Sequence, residues 1–153
     1  MSVRADERQA LGNLCEVVDC DRVWIHREKQ DVLRATVLRL SGNRAVTLGN
    51  HVFLPDGQEN LAVLAHELTH CGQYQSWGAL VYYGRAVADR VRDLVHISLG
   101  ACRSPYDYVV DGKSFREYGM EQQGKIVEDC YRGDAAARAV SPFRPPPHPD
   151  CST

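Results

Sequence analysis

A five-residue segment, His66-Glu67-Leu68-Thr69-His70, combines two imidazoles and a carboxylate at a spacing suited to metal chemistry. In an α-helix, the i, i+4 spacing places His66 and His70 on one face, one turn apart, where their nitrogens can bind the same Zn²⁺. Glu67 lies about 100° around the helix from His66. It is therefore close enough to an open coordination position to accept a proton from an attacking water. The segment predicts a zinc site with its own general base.

A catalytic zinc ion takes three protein ligands and keeps one position open, so a third side chain must come from elsewhere in the chain. Glu121 and Glu128 are candidates, but they lie about 10 Å apart along a predicted helix, so only one can reach the metal. Asp129 is a further candidate. The spacing leaves the choice open, because these carboxylates also suit a solvated face with Lys125 and Arg132 as partners. Three other histidines stand outside any ligand-like spacing, namely His26, His51 and His148.

The zinc motif requires a helix, and the sequence around it predicts one. Asp56, followed by Glu59 three residues later, is typical of a helix N-terminus. Leucines then recur on one helical face, so we expect a helix over about 58–76 that ends near Gly78. Apolar residues at helical spacing also predict three further helices, over about 4–20, 81–99 and 114–132.

Strands are predicted mainly in the segment before the motif. The run from Ala45 to Pro55 is rich in β-branched residues and is interrupted by Gly49-Asn50. This pattern predicts two short strands around a turn, or one bulged strand. Short apolar segments at 23–25 and 31–40 also suit strands, although 31–40 fits a helix equally well.

Composition and charge indicate an ordinary globular domain. The chain has 153 residues, 44% of them hydrophobic, and its 18 basic and 20 acidic residues give a net charge of −2. No long run of one charge sign occurs, so we expect neither nucleic acid nor a membrane as partner. We expect one domain over residues 1–140 and a proline-rich C-terminal tail over 141–153.

The N-terminus and the cysteines bear on the cellular compartment. The first residues lack the apolar core of a signal peptide, so we expect a cytoplasmic location as encoded, or export by a specialised route without a cleaved signal. The six cysteines match neither a CxxC nor a paired-knuckle zinc pattern. A Cys15–Cys20 disulfide, a Cys130–Cys151 disulfide and buried free thiols all fit the sequence. Cys71 points about 100° away from its neighbour in the motif, so we expect it in the core.

Several segments carry a resemblance to a known family. An HExxH helix followed some fifty residues later by a helix with Glu121-Gln122-Gln123-Gly124 resembles the gluzincin metallopeptidases. More narrowly, the chain looks like small bacterial metallopeptidase domains that are associated with polymorphic-toxin or specialised-secretion proteins. The segments that carry this narrower likeness are 47–50, 64–70, 73–75, 106–108 and 118–129.

The resemblance implies a fold and an activity. The fold would be a compact α+β zincin-like domain, mostly helical, with a small antiparallel or mixed sheet beside the HExxH helix. The activity would be zinc-dependent hydrolysis of peptide bonds in a peptide or protein substrate, as part of a bacterial effector. A cognate inhibitor or a secretion component would be a further partner.

The resemblance also implies roles for particular residues. Glu121 would be the third zinc ligand, with Glu128 as the alternative, and Gly124 would be the small residue that lets two helices approach. Many gluzincins have an Asp four residues after this Glu that orients a zinc-bound histidine, whereas this chain has Lys125 there. Another acceptor is therefore needed, and Asp129 is our candidate.

Hydrolysis further requires a hydrogen-bond donor for the developing oxyanion. Tyr118 precedes the third-ligand candidate by almost one turn and is our choice, ahead of Tyr106, Tyr108 and His96. The segment Thr47 to Leu54 resembles the edge strand of zincins, along which an extended peptide adds as another strand. An ordinary buried strand is the other interpretation of that segment.

Two alternative functions compete with peptide hydrolysis. One is a catalytically silent zinc-binding interaction module of a bacterial effector or toxin system, which the lysine at position 125 favours. The other is a disulfide-stapled secreted protein in which the His-Glu-His segment is incidental.

Overall fold

A computed structural model of the protein describes residues 1–28, 30–57, 60–99 and 104–147. Helices predominate among these residues, and one small mixed sheet lies against them, so the predicted α+β architecture is confirmed. The helices are α1 (Ala5–Ala10), α2 (Leu14–Val17), α3 (Val32–Leu40), α4 (Leu61–Trp77), α5 (Ala79–Leu99), α6 (Met120–Tyr131) and α7 (Ala135–Val140). The strands are β1 (Trp24–His26), β2 (Val46–Leu48) and β3 (His51–Phe53), and single 3₁₀ turns cover Cys20–Arg22 and Phe115–Glu117.

Helix α4, which carries the His-Glu-His segment, starts directly after Asn60. The side-chain oxygen of Asn60 accepts a hydrogen bond from the backbone N–H of Val63 at 2.9 Å, which satisfies a donor that the first turn leaves unpaired. The N-cap predicted at Asp56 is therefore wrong, and Glu59 lies outside the described residues. The helix ends before Gly78, as predicted.

The three strands form one mixed sheet in the order β1-β3-β2. Strand β1 runs parallel to β3, and β2 runs antiparallel to β3 across the turn at Gly49-Asn50. Gly49 has a φ of 65°, a left-handed conformation that glycine adopts without steric cost. The predicted pair of short strands around this turn is confirmed. Strand β2 is an outer strand of the sheet and packs against α4.

A hydrophobic core joins the sheet to α4 and α6. Ile25 and Val52 pair across β1 and β3, and Leu68 and Val127 meet this pair from α4 and α6. Each of these four side chains is at most 1% exposed. Because interiors are close-packed, this core fixes the positions of α4 and α6 relative to the sheet.

Two other predicted elements differ from their observed form. The opening helix predicted over 4–20 is divided into α1 and α2, so that Leu14 is fully buried while Val17 is 67% exposed. The last helix, predicted over about 114–132, begins only at Met120, because Tyr118 is extended with a ψ of 150°. The ambiguous segment 31–40 forms helix α3.

Helix α5 turns much of its apolar surface outward. Val87, Val91 and Leu94 are 63%, 55% and 51% exposed, whereas Tyr82 and Asp93 on the opposite side are 2% and 6% exposed. Apolar spacing predicted this helix but could not tell which side of it faces the protein. None of the described helices combines the length and apolar character needed to span a bilayer.

The cysteines and the C-terminal residues are placed as follows. Cys15 and Cys20 form a disulfide, with Cα atoms 5.5 Å apart, and Cys71 and Cys130 are buried free thiols. Residues 141–147 form neither helix nor strand, but Phe143 is only 8% exposed and packs into the hydrophobic core. The described residues do not include Cys102, His148 or Cys151.

Gly124 allows α6 to approach α4 closely. A Cβ at this position would lie 2.8 Å from Nε2 of His66, which is closer than packed atoms tolerate. We expect Gly124→Ala to lower the free energy of unfolding by about 1–3 kcal/mol through overpacking, measured by urea denaturation. The control is Gly84→Ala in α5, where a Cβ meets no atom within 4 Å, so stability should rise by about 0.5–1 kcal/mol. An equally stable Gly124→Ala protein would contradict the close approach.

Candidate metal centre

Helices α4 and α6 bring three potential metal ligands together. His66 and His70 lie one turn apart on α4, with their Nε2 atoms 3.1 Å apart. Oε2 of Glu121, from the first turn of α6, is 3.4 Å from Nε2 of His70 and 3.7 Å from Nε2 of His66. One ligand atom from each residue therefore lies within 4.8 Å of the others. The two histidines and the third-ligand candidate thus lie together in the structure.

Hydrogen bonds to the other ring nitrogens orient both histidines. Nδ1 of His66 is 3.1 Å from Oε2 of Glu128, and Nδ1 of His70 is 2.7 Å from Oε1 of Gln73. The Gln73 amide nitrogen donates to the backbone carbonyl of Met120 and to a side-chain oxygen, which assigns the oxygen to the histidine side. Since both partners of the Nδ1 atoms are acceptors, each Nδ1 carries a proton.

These hydrogen bonds make the centre a set of electron-pair donors. With Nδ1 protonated, a neutral imidazole presents a lone pair at Nε2. His66 and His70 therefore direct two lone pairs towards each other, with a carboxylate oxygen of Glu121 beside them. Three donors at this separation repel one another unless a proton or a cation lies between them. A tetrahedral metal with nitrogen and oxygen ligands fits this donor set.

A second histidine pair in the same protein gives a useful contrast. Nε2 of His26 and Nδ1 of His51 are also 3.1 Å apart, but their ring centroids are 5.4 Å apart. The centroids of His66 and His70 are only 4.9 Å apart at the same nitrogen separation. The first pair therefore meets nearly head to head, as in a hydrogen bond, whereas the second pair is tilted so that its nitrogens both face Glu121.

The carboxylates of the centre favour positive charge on the histidine nitrogens. Burial alone would lower the pKa of His66, but hydrogen bonds to Glu121 and Glu128 outweigh burial and raise it. Burial would likewise raise the pKa of Glu121, yet the charges and hydrogen bonds of His70 and His66 hold it below its usual range. Positive charge at the histidine nitrogens thus stabilises the half-buried carboxylates. A divalent cation would supply that charge in place of protons.

Glu67 lies next to the ligand cluster without joining it. Its carboxylate is held by Thr47 of β2, whose hydroxyl donates to Oε2 at 2.7 Å. Glu67 is 5% exposed and lines a cleft of about 430 Å³ together with the His66, His70 and Glu121 side chains. A carboxylate fixed beside the metal ligands, at the wall of a cleft, has the position required of a general base.

The three tyrosines predicted as oxyanion donors lie in different surroundings. Tyr118 does not reach the cleft, because it precedes α6 in an extended segment and its hydroxyl donates to the carbonyl of Val109 at 3.1 Å. Tyr108 donates to Asp129 at 2.9 Å. Tyr106 lines the cleft, where burial and the negative charge of Glu121 raise the pKa of its hydroxyl. Tyr106 is therefore the tyrosine whose side chain lines the cleft, and the hydroxyl of Tyr118 is held outside it.

The hydrogen-bond partners of the histidines differ from those predicted from the sequence. The acceptor for His66 is Glu128, predicted as an alternative ligand, whereas Asp129, predicted as the acceptor, pairs with Lys125 at 2.7 Å. The role of Gln73 was not foreseen, although its position three residues after His70, on one helical face, was a signal for it.

Residues 3–78, just under half of the chain, match the family model of the eCIS core domain. This match associates the chain with extracellular contractile injection systems, and so with specialised bacterial secretion. The matched segment contains His66, Glu67 and His70, whereas Glu121 and Glu128 lie beyond it. No significant similarity to a curated protein or to a solved structure is found.

The different positions of Glu121 and Glu128 predict different effects on metal binding. Glu121→Gln should abolish retention of one zinc ion per chain during dialysis, because a ligand is lost. Glu128→Gln should keep the stoichiometry but weaken zinc affinity about 10–100-fold, measured by competition with a chromogenic chelator. Glu16→Gln, at an exposed position on α2, is the matched control and should bind zinc as the wild type does. Loss of zinc only in Glu128→Gln would reverse the two roles.

Proposed function

We propose that this protein is a zinc-dependent metallopeptidase domain of a bacterial effector or specialised-secretion system. His66, His70 and Glu121 would hold the zinc ion, and Glu67 would be the general base. The observation that carries the proposal is the convergence of two oriented imidazoles and a carboxylate at the wall of a cleft, with Glu67 beside them. The eCIS core match over residues 3–78 supports the secretion context.

The residues of the cleft suit peptide-bond hydrolysis. Bound zinc would supply Lewis acidity, which polarises a carbonyl and makes a water more acidic. Glu67 would accept a proton from the water that adds to the scissile carbonyl carbon, and would then transfer it to the leaving amine nitrogen. Thr47 engages only Oε2 of this carboxylate, and none of the described residues hydrogen-bonds Oε1. Oε1 is therefore available for the proton.

Tyr106 would stabilise the oxyanion of the tetrahedral intermediate. Its hydroxyl makes no hydrogen bond to the described residues, and burial raises its pKa further above neutral, so the hydroxyl is a donor. An uncommitted hydroxyl in a cleft can donate to charge that develops on a substrate oxygen. The Tyr118 hydroxyl, by contrast, is already committed to a backbone carbonyl.

A zinc-binding interaction module without turnover is the second candidate. The observation that favours it is the family match itself, which describes an injection-system core and names no reaction. The proposed peptidase differs from this module only in chemistry, since both would bind zinc. A test must therefore measure metal and hydrolysis separately.

Glu67→Gln should separate these two candidates. The amide cannot accept the proton, so hydrolysis should fall about 10²–10⁴-fold while zinc content stays at the wild-type value. Cleavage of a quenched-fluorescent library of unstructured peptides and elemental analysis would measure the two quantities. The matched control is Glu117→Gln, an exposed carboxylate outside the metal cleft. A zinc-loaded wild type that cleaves no member of the library would favour the interaction module.

The assignment of the oxyanion donor predicts a contrast between two tyrosines. Tyr106→Phe should lower kcat about 10²–10³-fold with little change in KM, because the lost hydrogen bond acts mainly in the transition state. Tyr118→Phe should leave kcat unchanged and lower the free energy of unfolding by about 1 kcal/mol, the usual value of a buried hydrogen bond. Equal effects of both variants on kcat would contradict the assignment.

A further inference from the structure

The hydrogen bonds of the sheet show which backbone groups remain for an added strand. On the β1 side of β3, Trp24 donates to Asn50 at 2.8 Å and Leu54 donates to His26 at 3.2 Å. In a parallel pair, this pattern turns the N–H and C=O of Val52 towards β1. The residues on either side of Val52, His51 and Phe53, therefore direct their N–H and C=O groups towards β2.

Thr47 is the β2 residue paired with Val52. Since Val52 uses its backbone groups for β1, the N–H and C=O of Thr47 face the outer edge of β2. No further strand among the described residues pairs with this edge, which we call the open edge. These are the two groups that a neighbouring antiparallel strand would engage. Thr47 also lines the metal cleft and holds the carboxylate of Glu67 through its side chain. The open edge thus lies beside the candidate centre.

The carbonyl at this open edge is already occupied. The hydroxyl of Tyr82, from the first turn of α5, donates to the carbonyl oxygen of Thr47 at 3.0 Å. Tyr82 is 2% exposed, and its ring makes edge contacts with Tyr74 and Tyr83 at centroid distances of 5.4 Å and 5.1 Å. The hydroxyl is therefore held firmly by packing.

An added strand and the Tyr82 hydroxyl would compete for the same space. The backbone nitrogen of an incoming peptide must approach the accepting carbonyl to about 2.9 Å, within a strand spacing of about 4.8 Å. The hydroxyl oxygen of Tyr82 is at that distance from the Thr47 oxygen and so takes the position of the incoming nitrogen. A peptide can engage Thr47 only after this hydrogen bond opens.

We propose that Tyr82 is a positioning residue that occupies the peptide-binding carbonyl of Thr47 and must be displaced when an extended substrate segment adds to β2. This inference rests on the proposed peptidase function, because it takes the cleft as a site for extended peptides. Tyr82 thereby lowers affinity for every peptide by the free energy needed to open its hydrogen bond.

Binding to a zinc-loaded Glu67→Gln protein tests this inference without turnover. The probes are an extended peptide hydroxamate, which should use both the metal and the strand edge, and acetohydroxamate, which has no peptide part. Tyr82→Phe in this background keeps the ring and removes the hydroxyl. The peptide hydroxamate should bind about three- to tenfold more tightly, the usual value of one hydrogen bond, and acetohydroxamate should bind unchanged. Tyr83→Phe, the neighbouring tyrosine in the same cleft, is the matched control and should change neither.

The outcomes separate this inference from the proposed function. Unchanged or weaker binding of the peptide hydroxamate to Tyr82→Phe would overturn the inference, as would equal tightening of both probes. Tighter binding of the peptide probe alone would support it, even if the Glu67-containing protein cleaves no peptide and the peptidase proposal fails. With an active protein, Tyr82→Phe should lower KM and leave kcat unchanged, whereas a purely structural role for the hydroxyl would not improve binding.

Discussion

The candidate centre depends on one constraint, namely that three electron-pair donors meet at the contact between α4 and α6. Nε2 of His66, Nε2 of His70 and Oε2 of Glu121 face one another at the wall of the cleft, on side chains that are 10%, 6% and 18% exposed. Neutral imidazoles and a carboxylate in this arrangement repel one another, and burial strengthens the repulsion because the surroundings have a low dielectric constant. The packing of the two helices holds this arrangement together, and bound cationic charge would offset its cost.

Other residues allow the two helices to approach and orient the side chains at their contact. Gly124 removes the side chain that would separate the helices, and Glu128 and Gln73 fix which nitrogen of each histidine faces inward. On the other side of α4, Thr47 links the sheet to Glu67. The proposed acid–base residue is therefore positioned by β2, whereas α6 contributes the third potential ligand. Neither the sheet nor α6 alone is enough to form the candidate centre.

The family match covers only part of the candidate centre. The eCIS core model ends at residue 78, so it covers the sheet, the histidine pair and Glu67 but excludes α5, Tyr106 and α6. Glu121, which would complete a catalytic ligand set, therefore comes from outside the segment that associates this chain with injection systems. Helix α5, also outside that segment, forms one wall of the cleft and contributes Tyr82 to the open edge of the sheet.

The sequence by itself determined the features that lie within one element. The spacing of His66 and His70 fixes their common helical face, and Gly49-Asn50 indicates the turn between β2 and β3, because helix and strand periodicities are local. A resemblance pointed to Glu121, whose approach to the histidines the structure then displayed. Only the tertiary structure decided relations between elements. Glu128 reaches Nδ1 of His66, and Tyr106 rather than Tyr118 faces the cleft, because the extended residues before α6 and the packing of α6 on α4 set these directions. Spacing along the chain carries no information about such approaches.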